Sequence, residues 1–276
     1  MSDKQLITKS EFQNILNEAG LLFQETCSYY QSSEDGLLLY LSIKKLLNHC
    51  NCISVILDGT CFDAIESSEQ IDHASAKVLL RSVIEIYTTL TSLFWFEGKE
   101  DLSEKEFRFL VYKYSGLKSR QKLNHDAIVR NSLREKINNE RNEVERLKEM
   151  IEFKGEELGK NKDQIRKLIE KGWQAKPIHS RLKETTLPQF IKMQYSYLCG
   201  YSHSGFDSYM QLAEDEKSSS IKKKESRNML YFLTSFLLAK LNQASLFNLA
   251  DNIEVNTELN ETYKLLNKYD TNYSST

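Results

Sequence analysis

Apolar side chains recur at intervals of three and four along most of the chain, the spacing of one face of a helix, and only two prolines, Pro177 and Pro188, interrupt 276 residues. The pattern predicts an all-α protein: a multi-helix bundle with a long charged helical arm or hairpin. Helices are expected near residues 9–31, 36–67, 73–97, 102–124, 127–171, 188–204, 219–250 and 257–269. Breaks fall at SSEDG before Leu37, EGKED around Gly98, PIHS after Lys176 and SSS at 218–220. Grouped along the chain, residues 1–126 supply the amino-terminal helices of the bundle, with a central helix at 73–97. Residues 127–172 form the charged arm, residues 173–250 complete the bundle, and residues 251–276 add a last helix and a frayed tail.

Two stretches stand out by how little of their circumference is polar. MLYFLTSFLLA, residues 229–239, is an 11-residue apolar run followed by Lys240. Spanning a bilayer takes roughly 20 such residues, so it reads as a buried helix and no membrane partner is expected. SAKVLLRSVIEIYTTLTSLFWF, residues 75–96, reads as the central helix, yet Arg81 and Glu85 sit inside it one turn apart. Burying an unpaired charge costs several kcal/mol, so this pair is expected to bond to itself or to polar groups of another helix in a dry interior. Helix 188–204 offers such groups: Tyr195, Cys199 and His203 recur every four residues and form one stripe, with Gly200 placed to admit a close neighbour.

Residues 130–171 follow a different pattern. Ile137, Val144, Ile151, Leu158 and Ile165 recur at seven, but the companion row of Leu133, Leu147 and Leu168 is interrupted by Glu140, Lys154 and Asn161. Gly155 and Gly159 weaken the middle further. The expectation is an arm folded on the body or on another chain, making helices 127–172 the contact of a homo-oligomer or a protein partner. The alternative is a solvated amphipathic helix of the main bundle.

Charge and cysteine usage narrow the function classes. With 37 basic and 39 acidic residues the net charge is -2, which argues against a chain-wide surface for nucleic acid and leaves room for a local basic strip. Five cysteines at irregular spacing, and a start, MSDKQLITKSEF, without an apolar run, predict reduced thiols in a cytoplasm. In HCNC, residues 49–52, the thiols point about 200° apart and read as core groups rather than ligands. Lys222, Lys223 and Lys224 read as a solvated helix start, and Phe94, Trp95, Phe96, Tyr112 and Tyr114 as core and interface. There is no phosphate loop, dinucleotide fingerprint or paired metal-ligand motif, so no cofactor and no metal are expected.

The polar cluster admits several chemistries. As a nucleophilic site, Cys199 is the thiolate, His203 its base, Glu85 the group that orients the imidazole, and Arg81 the holder of an anionic substrate or oxyanion. As a metal site, Cys199, His203 and Glu85 would be three ligands, a weak signal from one i, i+4 pair. As a structural network, Arg81 pairs with Glu85 while Tyr195 and His203 satisfy what remains. As a binding site, Arg81, Lys176 and Tyr195 contact a small anionic or nucleotide-like ligand.

The order LLRSVIE at 79–85, RFLVYKYSGLKSRQKL at 108–123, a charged helix, Trp173 with Lys176 and Ile178, then Tyr195, Leu198, Cys199 and His203 resembles a widespread bacterial family of unknown function. Its pattern is Arg-Ser-x-x-Glu on an early helix and Tyr-x-x-Leu-Ser-x-x-x-His on a late one. The resemblance covers residues 35–210 and departs from the pattern at Cys199, where the family carries serine. The candidate catalytic set is Arg81, Glu85, Cys199 and His203 and the candidate ligand contacts are Tyr195, Lys176 and Trp173, roles read from the residues, since the family has no settled activity to carry over. The helical layout is similar to HEPN-type bundles of prokaryotic toxin and antiviral-defence proteins, a likeness of fold only. The function expected is an interaction or ligand-binding module in stress or antiviral defence, the alternative a metal-independent ribonuclease toxin acting on RNA. The ribonuclease motif of that fold has an Arg four to six residues before a His. Arg120 and His125 fit that spacing, but Gln121 stands where a small polar residue is favoured, which ranks this pair below Arg81 and His203.

Overall fold

The structure, a computed structural model, describes residues 7–31, 34–68, 70–94, 102–122, 131–202, 205–249 and 254–269. Among the described residues the chain is all-α, as the periodicity predicted, and an isolated antiparallel bridge between Thr60 and Gln70 is the sole β pairing. It divides into two compact units: residues 1–90 with 186–276, and residues 91–185.

The first unit opens with α1 (Lys9–Tyr30), started by a reciprocal cap in which the Glu11 amide donates to the Thr8 hydroxyl and the Thr8 amide donates to the Glu11 carboxylate. In α2 (Glu34–Asp58) the expected run to residue 67 is cut short at Gly59, whose φ of 120° favours glycine. The chain then pairs Thr60 with Gln70, and the Asp72 carboxylate accepts the Ser75 amide at 2.9 Å to open α3 (His73–Leu93). After Pro188 come α8 (Gln189–Ser202), α9 (Phe206–Lys217), α10 (Ser220–Leu249) and α11 (Asn260–Tyr269). The apolar run at 229–239 lies in α10 and is buried on every side from Leu230 to Leu241. Phe12 of α1 stacks on its Tyr231 and Phe190 of α8 on its Phe232. No described helix is long and apolar enough to cross a membrane. The first amides of α11, at Glu261 and Thr262, donate to the Glu18 carboxylate at 2.7 and 2.9 Å, a cap supplied by another helix.

The second unit contains α4 (Leu102–Gln121), α5 (Asn131–Glu157), α6 (Lys162–Lys171), a 3-10 turn at Gly172–Ala175 and α7 (Ile178–Glu184). The single helix expected over 127–171 is two. Gly159 takes φ 69°, and the Asn161 side chain then caps α6 by accepting the Gln164 amide while Gln164 accepts the Asn161 amide. The heptad seam is real, but α4 fills it: Val144, Leu147 and Ile151 bury against Phe107, Val111 and Tyr114. The interrupting charges are matched at the edge of that contact, Glu140 with Arg120 at 2.8 Å and Lys154 with Glu106.

Candidate functional site

In the first unit, α3 and α8 bring most of the expected cluster together. Arg81 Nη2 lies 2.9 Å from Glu85 Oε1, and the Tyr195 hydroxyl donates to the same oxygen at 2.7 Å. Arg81 Nη1 also donates to the Ser202 hydroxyl, which itself donates to the Cys199 carbonyl at 3.0 Å. The guanidinium lies 5.9 Å from the centre of the Tyr195 ring. Burial, with the Glu85 carboxylate beside it, pushes the Tyr195 phenol above its ordinary value and keeps the proton in place. The interior is less dry than the sequence implied, because the Arg81 and Glu85 side chains are 23% and 37% exposed. A helix apolar over most of its circumference still has one strip to show to water, and charges settle there. Glu85, assigned to orient an imidazole, is taken up by Arg81 and Tyr195. His203 and His125 lie outside the described residues. Cys199 is partly exposed, Gly200 lies under the Gln211 side chain of α9, and no group of three metal-ligating side chains occurs among the described residues.

One turn earlier on α3 is a more deeply buried group absent from the sequence reading. Lys77 Nζ donates to Tyr201 Oη at 2.6 Å and pairs with Asp215 Oδ2 at 2.7 Å, while Tyr201 donates to that carboxylate at 3.1 Å and shares a 2.8 Å hydrogen bond with Tyr197. The ammonium sits 4.1 Å from the Tyr201 ring centre, so its charge is met by a carboxylate and a π face. Burial, with Tyr197 and Asp215 close by, raises the Tyr201 phenol far above its usual range. Lys77, Arg81 and Glu85 follow at intervals of four, which is the signal that could have found it.

His73 opens the same helix, buried, with neither ring nitrogen hydrogen-bonded. Burial lowers its pKa below 6.5; Lys77, Arg227 and Lys223 add to the lowering, and Asp215 opposes them. The folded protein thus favours neutral imidazole, whereas the unfolded chain protonates normally. Stability is then complete above about pH 6.5 and declines as pH falls below it toward the depressed folded value. Urea titrations across that range should show His73→Gln flattening the decline; an unchanged slope would remove His73 from the account.

The second unit contains the other expected contacts. Trp173 and Lys176 line a cavity of about 290 Å³ between α4, α6, the 3-10 turn and α7, whereas Tyr195 belongs to the first unit. Phe107, Val111 and Leu168 give it an apolar floor. Arg181, buried, holds its guanidinium 4.4 Å from the Trp173 ring centre and donates to the Trp173 carbonyl at 2.9 Å, and Tyr112 meets the same indole edge-on. Glu104 answers Arg108 at 3.4 Å and Lys160 at 2.9 Å, and Glu184 answers Lys176. Lys167 lines the cavity exposed, with no carboxylate partner among the described residues. The lining carries five basic and two acidic side chains. The near-neutral total charge conceals this: residues 91–185 hold 22 basic and 17 acidic residues, net +5, and the rest of the chain 15 and 22, net -7.

Residues 44–221 match a family described as a family of unknown function, DUF5677. The chain belongs to it. No curated protein and no solved structure matches. The DUF5677 span begins within α2 and ends at the start of α10, so it takes in α3, α8, α9 and all of the second unit. Both the Arg81 cluster and the Trp173 cavity are therefore within DUF5677.

Proposed function

We propose that the protein is a ligand-binding module whose second unit takes a small phosphate-bearing aromatic molecule of the nucleotide class. The observation that carries this reading is the Trp173 cavity. An indole already stacked by a guanidinium offers a platform for a planar ring, and a cationic lining with one unpaired lysine suits a phosphate. Its volume lies near the lower end for small-molecule sites, which favours a mononucleotide over a larger cofactor. The setting is a reducing cytoplasm, in keeping with five free cysteines, and the process prokaryotic stress or antiviral defence.

The test is Trp173 fluorescence in a Trp95→Phe background, titrated with AMP, GMP, ATP and GTP and with adenosine as the uncharged control. Saturable quenching by nucleotides but not adenosine, weakened at least tenfold by Lys167→Glu, is the expected result. No response, or one that ignores Lys167, would refute the reading.

The ribonuclease alternative draws on the other cluster, where Arg81 bonds Ser202, the residue before His203. It requires RNA cleavage in the presence of a chelator that disappears in Arg81→Ala and in His203→Ala while Lys167→Glu leaves it intact.

A further inference from the structure

Helix α9 is built inside out. Its polar residues face its own unit: the Ser208 hydroxyl is buried and donates to the Gly205 carbonyl, Gln211 covers Gly200, and Asp215 receives Lys77. Its large apolar side chains face water, with Phe206 77%, Tyr209 60% and Met210 50% exposed. At about 100° per residue, Phe206, Met210, Ala213 and Lys217 fall within about 60° of one another, with Tyr209 alongside, opposite the inward polar set. Ordinary surface helices of a bundle show the reverse arrangement. The exposed carboxylates of Asp207 and Glu214 flank this strip on one side and Glu216 on the other.

The geometry points to α9 as a docking face for a basic amphipathic helix of another protein, its apolar stripe on Phe206, Tyr209 and Met210 and its lysines or arginines on the flanking carboxylates. Charge decides between occupants. A second copy laying its own α9 here antiparallel would place Asp207 against the other Glu214, a like-charge contact that selects against self-pairing. An anionic membrane meets the same repulsion. A helix with an apolar stripe and cationic flanks meets attraction on both sides, the helix-in-groove mode of recognition. The strip is two to three turns long, below what a standard-size interface needs, so binding should be transient and salt-sensitive.

The probe is a fluorescent, synthetic amphipathic helix of leucine and lysine, with a leucine and glutamate twin of the same pattern, added to the full-length protein and read by anisotropy. Expected is saturable binding of the lysine peptide only. It should weaken at least tenfold in Phe206→Ser/Met210→Ser and, separately, in Asp207→Asn/Glu214→Gln/Glu216→Gln, with circular dichroism unchanged in both. Equal binding of the two peptides, or indifference to either set of substitutions, overturns the proposal. So does self-association by sedimentation, or binding to anionic vesicles, that the Phe206→Ser/Met210→Ser variant abolishes.

Discussion

Gly172→Ala should destabilise the second unit by about 2–6 kcal/mol, the sum of two independent penalties. Gly172 closes α6 with φ 57° and ψ -141°, a region where an L side chain is strained by roughly 1–3 kcal/mol. Its missing Cβ is also the space that α4 occupies. An added methyl would come within 2.6 Å of the Ser115 hydroxyl and 2.8 Å of its Cβ, with the Ser115 Cα at 3.3 Å. Rotating the hydroxyl away does not remove the Cβ and backbone contacts, so α4 itself would have to yield, at about 1–3 kcal/mol. Domains of this size are stable by only about 5–15 kcal/mol, so the denaturant midpoint of the unit should fall well clear of error. Ser115→Gly should return the steric share in the double variant and leave the dihedral share. A midpoint within about 0.5 kcal/mol of wild type would mean that the close crossing is wrong. Because the Trp173 turn begins at Gly172, the nucleotide binding proposed for this cavity should fall with stability.

Lys77→Ala should be the most damaging single charge removal in the first unit, costing about 2–4 kcal/mol. Lys77 is buried and answers Asp215, Tyr201 and an aromatic face at once. Its loss leaves Asp215 without its cation, although that carboxylate is partly exposed and water recovers some of the cost. Arg81→Ala removes a guanidinium already in contact with solvent and should cost nearer 1 kcal/mol. Urea melts of both variants give the ranking. Equal or reversed losses would show that Lys77 is not the anchor.

How far the sequence foretold these features depends on whether the physics was local. The pairing of Arg81 with Glu85 follows from a spacing of four, and the Tyr195 contact from the need of a charge among apolar neighbours to find partners. Lys77 stands on the same row, but its partners Tyr201 and Asp215 are 124 and 138 residues away in sequence, so no local spacing pairs them. Its partner Asp215 belongs to α9, a helix outside the expected set, whose apolar strip at Phe206, Met210 and Ala213 gives no sign in sequence of which way it faces. The break between α5 and α6 was written as Asn161 and Gln164, three residues apart, yet the seven-residue seam ran across it and hid the capping pair. Trp173 and Lys176, expected as ligand contacts beside Tyr195, instead line a cavity of the second unit while Tyr195 belongs to the first. Which unit a residue joins is set by long-range packing that no local pattern encodes.

The first unit is assembled from two separated stretches, residues 1–90 and 186–276, and α10, buried from Leu230 to Leu241, comes from the second of them. During synthesis the contiguous second unit is complete while the first still lacks its central pillar. The nascent chain must carry α1, paired with α2 but without the α10 surface that completes its burial, for well over a hundred further residues, an interval in which exposed apolar surface invites chaperones.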